Sequence, residues 1–237
     1  MALPTSGPLS LADIQTEFGG INPISLSEYY AGGANVPSGT SGTYGAVPTS
    51  GAISIRNFYG TSKFTPVTRT YTTGTGATDT VPTGATSVTI RVVGGGGSGA
   101  KDSVNGAGGG GSGGYALRTI AVSGGQTFTY TVGQGGAGVS VDQTNGNSGG
   151  DSTVTGTVTG GSVSMTGGGG ERGYTGLVPG AGGTASGGST NTPGNAGSGG
   201  NAGASVYSGY GNGTAGRQLA TGSSNTAGSG VVIFEYT

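Results

Sequence analysis

The chain has 237 residues, including 60 glycines and 9 prolines, a net charge of −1, and neither histidine nor cysteine. Without histidine or cysteine no Ser-His-Asp or Cys-His catalytic arrangement can form, and eight scattered lysines and arginines supply no basic patch for nucleic acid. No apolar run of about 18 residues is present, so we expect no membrane span, and the N-terminus has no pattern typical of a secretion signal.

Residues 1–63 contain a short motif that occurs three times, each time with a serine at the predicted N-cap of a short helix. The caps are Ser10, Ser25 and Ser54, and each has an acid or amide three residues later. We expect the strict reciprocal capping box only at Ser25, because its partner is Glu28. Glycine is predicted to end each helix, at Gly19–Gly20, Gly32–Gly33 and Gly60.

Such short helices need packing partners for stability. The favoured interpretation is a docking segment whose apolar stripe is buried against another protein, and the alternative is a small core of its own. The stripe comprises Leu11, Ile14, Phe18, Leu26, Tyr29, Tyr30, Ile55, Phe58 and Tyr59.

These repeats have the form Ile-Ser-Leu-x-Asp/Glu-aromatic, and the last one ends in Phe-Tyr-Gly. They resemble repeats at the N-termini of structural proteins of tailed bacteriophages, and the resemblance covers most of residues 3–60. It implies that residues 1–63 attach the chain to other virion proteins.

From Phe64 onward the sequence predicts β-strands together with a long glycine-rich stretch. Residues 86–93 and 231–236 frame that stretch and are rich in β-branched and aromatic residues, which favours strands. Residues 122–126 are predicted to form a hairpin turn. Further strands are predicted at 115–122, 126–132, 152–158 and 162–165.

Glycine recurs at every third position in parts of residues 94–230. The series are Gly167, Gly170, Gly173 and Gly176, and Gly194, Gly197, Gly200 and Gly203. This is the period of polyproline II, in which an all-glycine side lets neighbouring chains approach and hydrogen-bond. Collagen is excluded because the triplet phase is short, and the low charge with clustered apolar residues argues against disorder. We predict a mainly β fold with polyglycine II connections, folded as a homo-oligomer.

Several segments of residues 64–237 resemble the glycine-rich C-terminal domain of many phage tail fibres and adhesins. The matching segments are Val81–Gly84, Val92–Gly97, Gly113–Tyr115, Val132–Gly136 and Gly230–Tyr236. The resemblance implies two parts, 1–63 for docking and 64–237 for presentation, in an often trimeric virion protein made in the host cytoplasm. It also implies a partner on the bacterial surface, either a protein or a glycan.

Catalytic candidates are weak. Gly94–Gly99 follows a strand as a phosphate-binding loop does, but Lys101 is not in the Gly-Lys-Ser/Thr context, so we expect no nucleotide. Asp142 and Asp151 could meet as a glycosidase-like pair, although solvated loop carboxylates are the favoured interpretation. We therefore expect no enzyme, no cofactor and no metal.

Receptor contacts are predicted where aromatic or charged residues interrupt the glycine-rich stretch. Such loops suit a sugar ring or a protein loop. The alternative is that the tyrosines fill a small core or a subunit interface. The candidates are Glu171, Arg172 and Tyr174, then Tyr207 and Tyr210, and finally Arg217 in the segment 217–219.

The sequence therefore leads to a tail fibre or fibre-tip adhesin that binds the host surface without catalysis. One alternative is a head or tail decoration protein that binds no receptor, and a further one is a polysaccharide depolymerase. Fibres are few and lie at the tail, whereas decorations are many and cover the capsid, so copy number and position separate the first two.

Overall fold

A computed structural model describes residues 2–218 and 222–237. Strands make up 29% of the chain and helices 6%, so the protein is mainly β. Helix α1 spans Leu11–Phe18, and two 3-10 helices span Leu26–Glu28 and Ile55–Phe58. The strands are β1 (Ser41–Gly42), β2 (Gly45–Ala46), β3 (Val67–Tyr71), β4 (Ala77–Thr80), β5 (Ser87–Val93), β6 (Tyr115–Ala121), β7 (Thr127–Thr131), β8 (Ser152–Val158), β9 (Gly161–Gly167), β10 (Ala185–Ser186), β11 (Thr190–Thr192) and β12 (Val231–Tyr236).

Two five-stranded antiparallel sheets form a sandwich. Their strand orders are β11-β6-β5-β12-β3 and β10-β9-β8-β7-β4. Alternation along the strands turns one set of side chains into a shared core, as in β7, where Phe128 and Tyr130 are buried between exposed threonines. The core is completed by aliphatic and aromatic residues of both sheets, including Ile90, Met165 and Phe234.

The hairpin predicted at residues 122–126 is wrong. A turn does form there, but β6 pairs with β5 whereas β7 pairs with β4 and β8, in the other sheet. Each strand buries its apolar side chains in the common core from its own sheet, so the turn crosses from one layer to the other. Local turn chemistry could not distinguish these two arrangements.

The solvent face of the second sheet is lined with hydroxyl side chains. Residues that pair across strands share a face, and one row runs Thr78, Thr129, Thr155 and Ser164. The whole set, here called the hydroxyl face, is Thr78, Thr80, Thr127, Thr129, Thr131, Thr153, Thr155, Thr157, Ser162, Ser164 and Thr166. The described residues that make up this face are polar and uncharged.

Glycine-rich segments leave the sheets and pack side by side, here called the glycine array. Successive residues of 94–102 donate backbone hydrogen bonds to three different neighbours in rotation. Gly94, Gly97 and Ala100 donate to the segment 108–114, at 3.0, 2.8 and 3.0 Å. The next set, Gly95, Ser98 and Lys101, donates to Gly150, Asn147 and Thr144. This period of three is that of polyglycine II, and it confirms the predicted connections.

Glycine is required inside this array because the neighbouring backbones touch. A Cβ atom built on Gly97 would lie 2.0 Å from the carbonyl oxygen of Glu171, and one on Gly96 would lie 1.9 Å from that of Asn212. No side chain fits such a space. Close packing of neighbouring backbones therefore explains why glycine recurs at every third position in the sequence.

A buried carboxylate joins the two sheets at one side of the sandwich. Asp79 on β4 is only 2% exposed, and its Oδ1 atom accepts hydrogen bonds from Arg69 Nη1 at 2.6 Å and Tyr71 Oη at 2.9 Å. Tyr236 donates to the other oxygen. Burial, followed by the bond to Asp79, raises the pKa of Tyr71 to about 12 and also raises that of Tyr236. Both phenols thus stay protonated and donate.

Residues 2–63 contain a small hydrophobic cluster of their own. Helix α1 is capped by Ser10, which makes the reciprocal capping box with Asp13. Ser25 instead accepts from Ser27 N–H, at 3.3 Å, and the second box lies at Ser54 with Asn57. The expectation of a strict box at Ser25 with Glu28 is therefore wrong. The 3-10 helix there is only three residues long, and its short turn brings Ser27 to the cap.

The predicted apolar stripe is used mainly inside this cluster. Ile14, Phe18, Tyr29 and Phe58 have no exposed surface, and the rings of Phe18 and Tyr29 each meet Phe58 edge-on. They cannot form an exposed contact surface, which corrects that part of the docking prediction. Leu11, Leu26 and Ile55 pack against the same core, and the hydroxyls of Tyr30 and Tyr59 donate to Gly51 and Gly7. Docking of the segment as a whole stays a prediction.

The neighbouring residues Lys63 and Phe64 contact different parts of the molecule, helix α1 and the sandwich core. The backbone amide of Lys63 donates to Glu17 Oε1 at 2.8 Å and its Nζ to Phe18 O, whereas Phe64 packs against the sandwich core. A cleft of about 280 Å³ lies beside this point, between the two clusters. The chain thus passes from one packed unit to the next within one peptide bond.

Candidate binding surface at the distal loops

Turns of the described residues lie at the end of the glycine array remote from the sheets, and three of them are joined by hydrogen bonds. These three are residues 102–106, 140–143 and 175–178, here called the distal loops. Residues 94–102 and 144–150 connect them to β5 and β8 as extended segments, which at ~3.1 Å per residue places the loops roughly 20 Å beyond the sandwich. Function in such scaffolds resides in loops held by a rigid base.

Two aspartates tie the distal loops to one another. Asp102 is fully buried, and it accepts from the amides of Val104 and Asn105 in its own loop and from Gly176 in another. Asp142 accepts from the amide of Ser103 at 2.9 Å and also from its hydroxyl. These bonds lower the pKa of both carboxyl groups. The loops are thereby fixed relative to one another.

Lys101 reinforces the same end of the array. Its side chain is 3% exposed, and Nζ donates to Ser140 O at 2.6 Å. Its charge also helps to keep the pKa of Asp142 low, after the larger effect of the bonds from Ser103. Lys101, Asp102 and Asp142 therefore stabilise the contacts between the distal loops.

Most of the exposed large hydrophobic side chains in residues 2–218 and 222–237 lie on the distal loops. The exposed fraction is 68% for Val104 and for Val141, 44% for Leu177 and 52% for Val178. Val104 and Val141 flank the Ser103–Asp142 bond, and the Leu177 amide donates to Gly106 O at 3.0 Å. The loops that carry these four residues are therefore joined by hydrogen bonds, and the four residues are here called the aliphatic patch.

Some predicted receptor residues lie beside this patch. Tyr174 is half-buried just before Thr175, and the Arg172 guanidinium lies 5.4 Å from the centre of its ring. Arg217 bonds through its backbone to Ala100 and Asp102. Glu171 lies further back in the array, where its carboxylate accepts from Ala181 N–H. Leu219, in the segment 217–219, is outside the described residues.

Tyr207 and Tyr210 lie at the other end of the array, against the first sheet. The Tyr207 ring stacks on Tyr115 with centroids 4.9 Å apart, and both Tyr207 and Tyr210 pack near Val93 and Val231. Burial raises the pKa of Tyr207. The structure thus does not bring these tyrosines to the distal loops, and their role in receptor contact stays a prediction.

Asp142 and Asp151 are also separated. Asp142 is in a distal loop, whereas Asp151 precedes β8 and accepts from the Gly169 amide at 2.8 Å. The extended segment 144–150 lies between them, so the suggested glycosidase-like pair is not formed. Among the described residues, no group of three or more acidic, histidine or cysteine side chains could hold a metal.

Sequence reasoning missed the aliphatic patch. Its signal was present as single aliphatic residues between turn-forming ones, in Ser103-Val104-Asn105-Gly106 and Gly176-Leu177-Val178-Pro179. The sequence-based prediction favoured aromatic residues instead, because tyrosine is enriched in binding surfaces. In the part of the chain that the structure covers, no helix has the length and apolarity of a membrane span.

Acid is expected to loosen the distal loops before the sandwich. Because the folded-state pKa values of Asp102 and Asp142 are lowered, their stabilisation is complete above the ordinary carboxyl pKa of about 4 and is lost as the pH falls below it. Hydrogen-exchange protection of the Val104 and Gly176 amides, corrected for intrinsic rates, should be unchanged down to about pH 4 and should drop as the pH is lowered further. Protection in β5 should persist. Equal loss in both regions would contradict this assignment.

A family model described as a glycine-rich domain matches residues 70–237. No curated protein matches the chain.

Proposed function

The chain belongs to the glycine-rich domain family, and from that premise we propose that it is a virion protein of a tailed phage that binds the host cell surface. In this proposal it is a tail fibre or fibre-tip adhesin that works without catalysis. Residues 1–63 attach it to other virion proteins, and residues 64–237 present the binding surface as part of a homo-oligomer.

The observation that carries the proposal is the exposed aliphatic patch at the end of the glycine array. Exposed apolar clusters on soluble proteins mark interaction sites, since water contact is unfavourable for them. The patch is also held rigidly, because Asp102 and Asp142 cross-link its loops. A rigid surface loses little entropy on binding, which favours affinity. Its position at the far end of the molecule suits contact with a cell.

The first test measures binding of the purified chain, residues 1–237, to a panel of bacterial strains. Saturable binding is expected, together with competition against adsorption of the phage that carries the protein. Val141→Asp should weaken binding by about tenfold or more, because it places a charge in an apolar contact. The matched control is Thr155→Asp on the hydroxyl face, which should bind like the wild type.

Two results would contradict the proposal. If the folded chain binds no strain in saturable fashion, the alternative of a structural decoration protein is favoured, and its copy number and position on the particle should then be determined. If Thr155→Asp weakens binding as much as Val141→Asp, the contact does not lie at the distal loops.

A further inference from the structure

We propose that Asn105 in the distal loops is a self-modification site, at which the side-chain amide is converted to a carboxylate through attack by the backbone nitrogen of Gly106. The co-reactant is water. Asn-Gly pairs favour this reaction because glycine has no side chain to hinder ring closure. The chain contains three such pairs, at residues 105–106, 145–146 and 212–213, and their structural surroundings differ.

The reaction proceeds through a cyclic imide. The Gly106 amide nitrogen gives up its proton to a base in solution and attacks Cγ of Asn105. A bond forms between that nitrogen and Cγ, the bond from Cγ to Nδ2 breaks, and Nδ2 takes a proton from water and leaves as ammonia. Water then opens the five-membered ring at either carbonyl carbon, which gives aspartate or isoaspartate. The overall change consumes one water and releases one ammonia.

The attacking nitrogen must be a glycine amide that is not engaged in a hydrogen bond. The Gly106 amide donates to no acceptor among the described residues, and Gly106 is partly exposed. Gly146 is buried, and its amide donates to Gly173 O at 2.9 Å. Gly213 is also buried, and its amide donates to Gly203 O at 3.1 Å. Attack at these two positions therefore requires local opening of the glycine array.

The asparagine side chains of the other two pairs are also held in place. Asn145 Oδ1 accepts from the amide of Thr175 at 3.0 Å. Asn212 is held through both side-chain atoms, since Oδ1 accepts from the amide of Ser205 at 2.8 Å and Nδ2 donates to Gly209 O at 2.6 Å. Each side chain would have to leave these backbone partners before it could turn toward the following nitrogen.

The surroundings of Asn105 permit the reaction and give it a consequence. Asn105 is exposed, and its side chain contacts the Asp102 carboxylate of the same turn. That carboxylate accepts from the amides of Val104 and Gly176 and so joins two distal loops. Conversion replaces the side-chain donor with a second negative charge beside Asp102, and like charges repel. The modified chain should therefore have looser distal loops.

The site is tested by incubating the intact chain at mildly alkaline pH and measuring each Asn-Gly pair by peptide mass spectrometry. Acid should accumulate at position 105 about tenfold or more faster than at 145 and 212, because several hydrogen bonds must break at those two. In urea the three rates should become similar, since the dipeptide is the same. Conversion at 145 or 212 as fast as at 105 in the folded chain would overturn the proposal. So would a folded chain whose position 105 stays unchanged while the unfolded chain reacts.

The consequence is tested with Asn105→Asp, which carries one of the two products from the start. Hydrogen-exchange protection of the Gly176 amide should fall by about threefold, as for a charge contact near the surface, and protection in β5 should not change. The control is Asn105→Gln, which keeps a neutral amide and should retain the protection of the wild type. Unchanged protection in Asn105→Asp, or an equal loss in Asn105→Gln, would overturn the effect of the new charge.

Discussion

Replacing Gly97 with alanine is expected to destabilise the protein by about 3 kcal/mol or more. The new Cβ would lie 2.0 Å from Glu171 O and 2.4 Å from its carbonyl carbon. Both atoms belong to backbone that is itself held by neighbours, since Gly111 N–H donates to the same oxygen. Overpacking of a rigid interior costs about 1–3 kcal/mol, and backbone contacts at this distance exceed the usual case.

Gly150→Ala is the matched control, because it lies in the same array. Its Cβ would have no neighbour nearer than Gln134 N at 3.3 Å. The change in the free energy of unfolding should stay within about 1 kcal/mol, because reduced freedom of the unfolded chain offsets a small adjustment. Urea unfolding of both variants gives the comparison. Similar losses for Gly97 and Gly150 would show that backbone spacing is not the reason for the glycine content.

Removing the buried carboxylate of Asp79 is the second large effect. In Asp79→Ala, Arg69 loses its ion pair and the hydroxyls of Tyr71 and Tyr236 lose their acceptor. Breaking a buried, hydrogen-bonded charge pair costs about 3–5 kcal/mol. We expect about 3 kcal/mol, because the Arg69 side chain is 34% exposed and water can solvate part of the guanidinium.

A surface ion pair in the same sandwich provides the comparison. Arg91 Nη2 lies 3.0 Å from Glu235 Oε2, with side chains 25% and 36% exposed. Glu235→Ala should cost less than about 1 kcal/mol, since exposed pairs contribute little. The midpoint of urea unfolding should therefore fall clearly for Asp79→Ala and hardly for Glu235→Ala. A larger fall of the midpoint for Glu235→Ala than for Asp79→Ala would mean that Asp79 does not stabilise the contact between the sheets.

The strands and the glycine array could be predicted because each produces a periodic pattern of residue types in the sequence. The alternation of Phe128 and Tyr130 with threonines identified β7, and the triplet glycines identified polyglycine II. Each pattern follows from local geometry, a period of two for strands and of three for the extended glycine helix. The helix starts at Ser10 and Ser54 were predictable for the same reason.

Sheet membership and the binding surface could not be predicted in this way. Residues 122–126 form a turn in either topology, and only packing of the core decides that β6 and β7 lie in different sheets. The aliphatic patch exists because the array brings together loops that are about 70 residues apart, from Val104 to Leu177. No local pattern records such a neighbourhood.

The hydrogen bonds of the glycine array also determine how the molecule carries load. They run between segments, across their length, and every segment bonds to several others. A pull on the distal loops therefore acts on many of these bonds in shear at once, whereas a single hairpin would open bond by bond from its end. Each glycine-rich segment is connected to a sheet at both of its ends. Tension on the distal loops therefore reaches the sandwich through several extended segments at once. The array is in this respect a stiff connection between the distal loops and the sandwich.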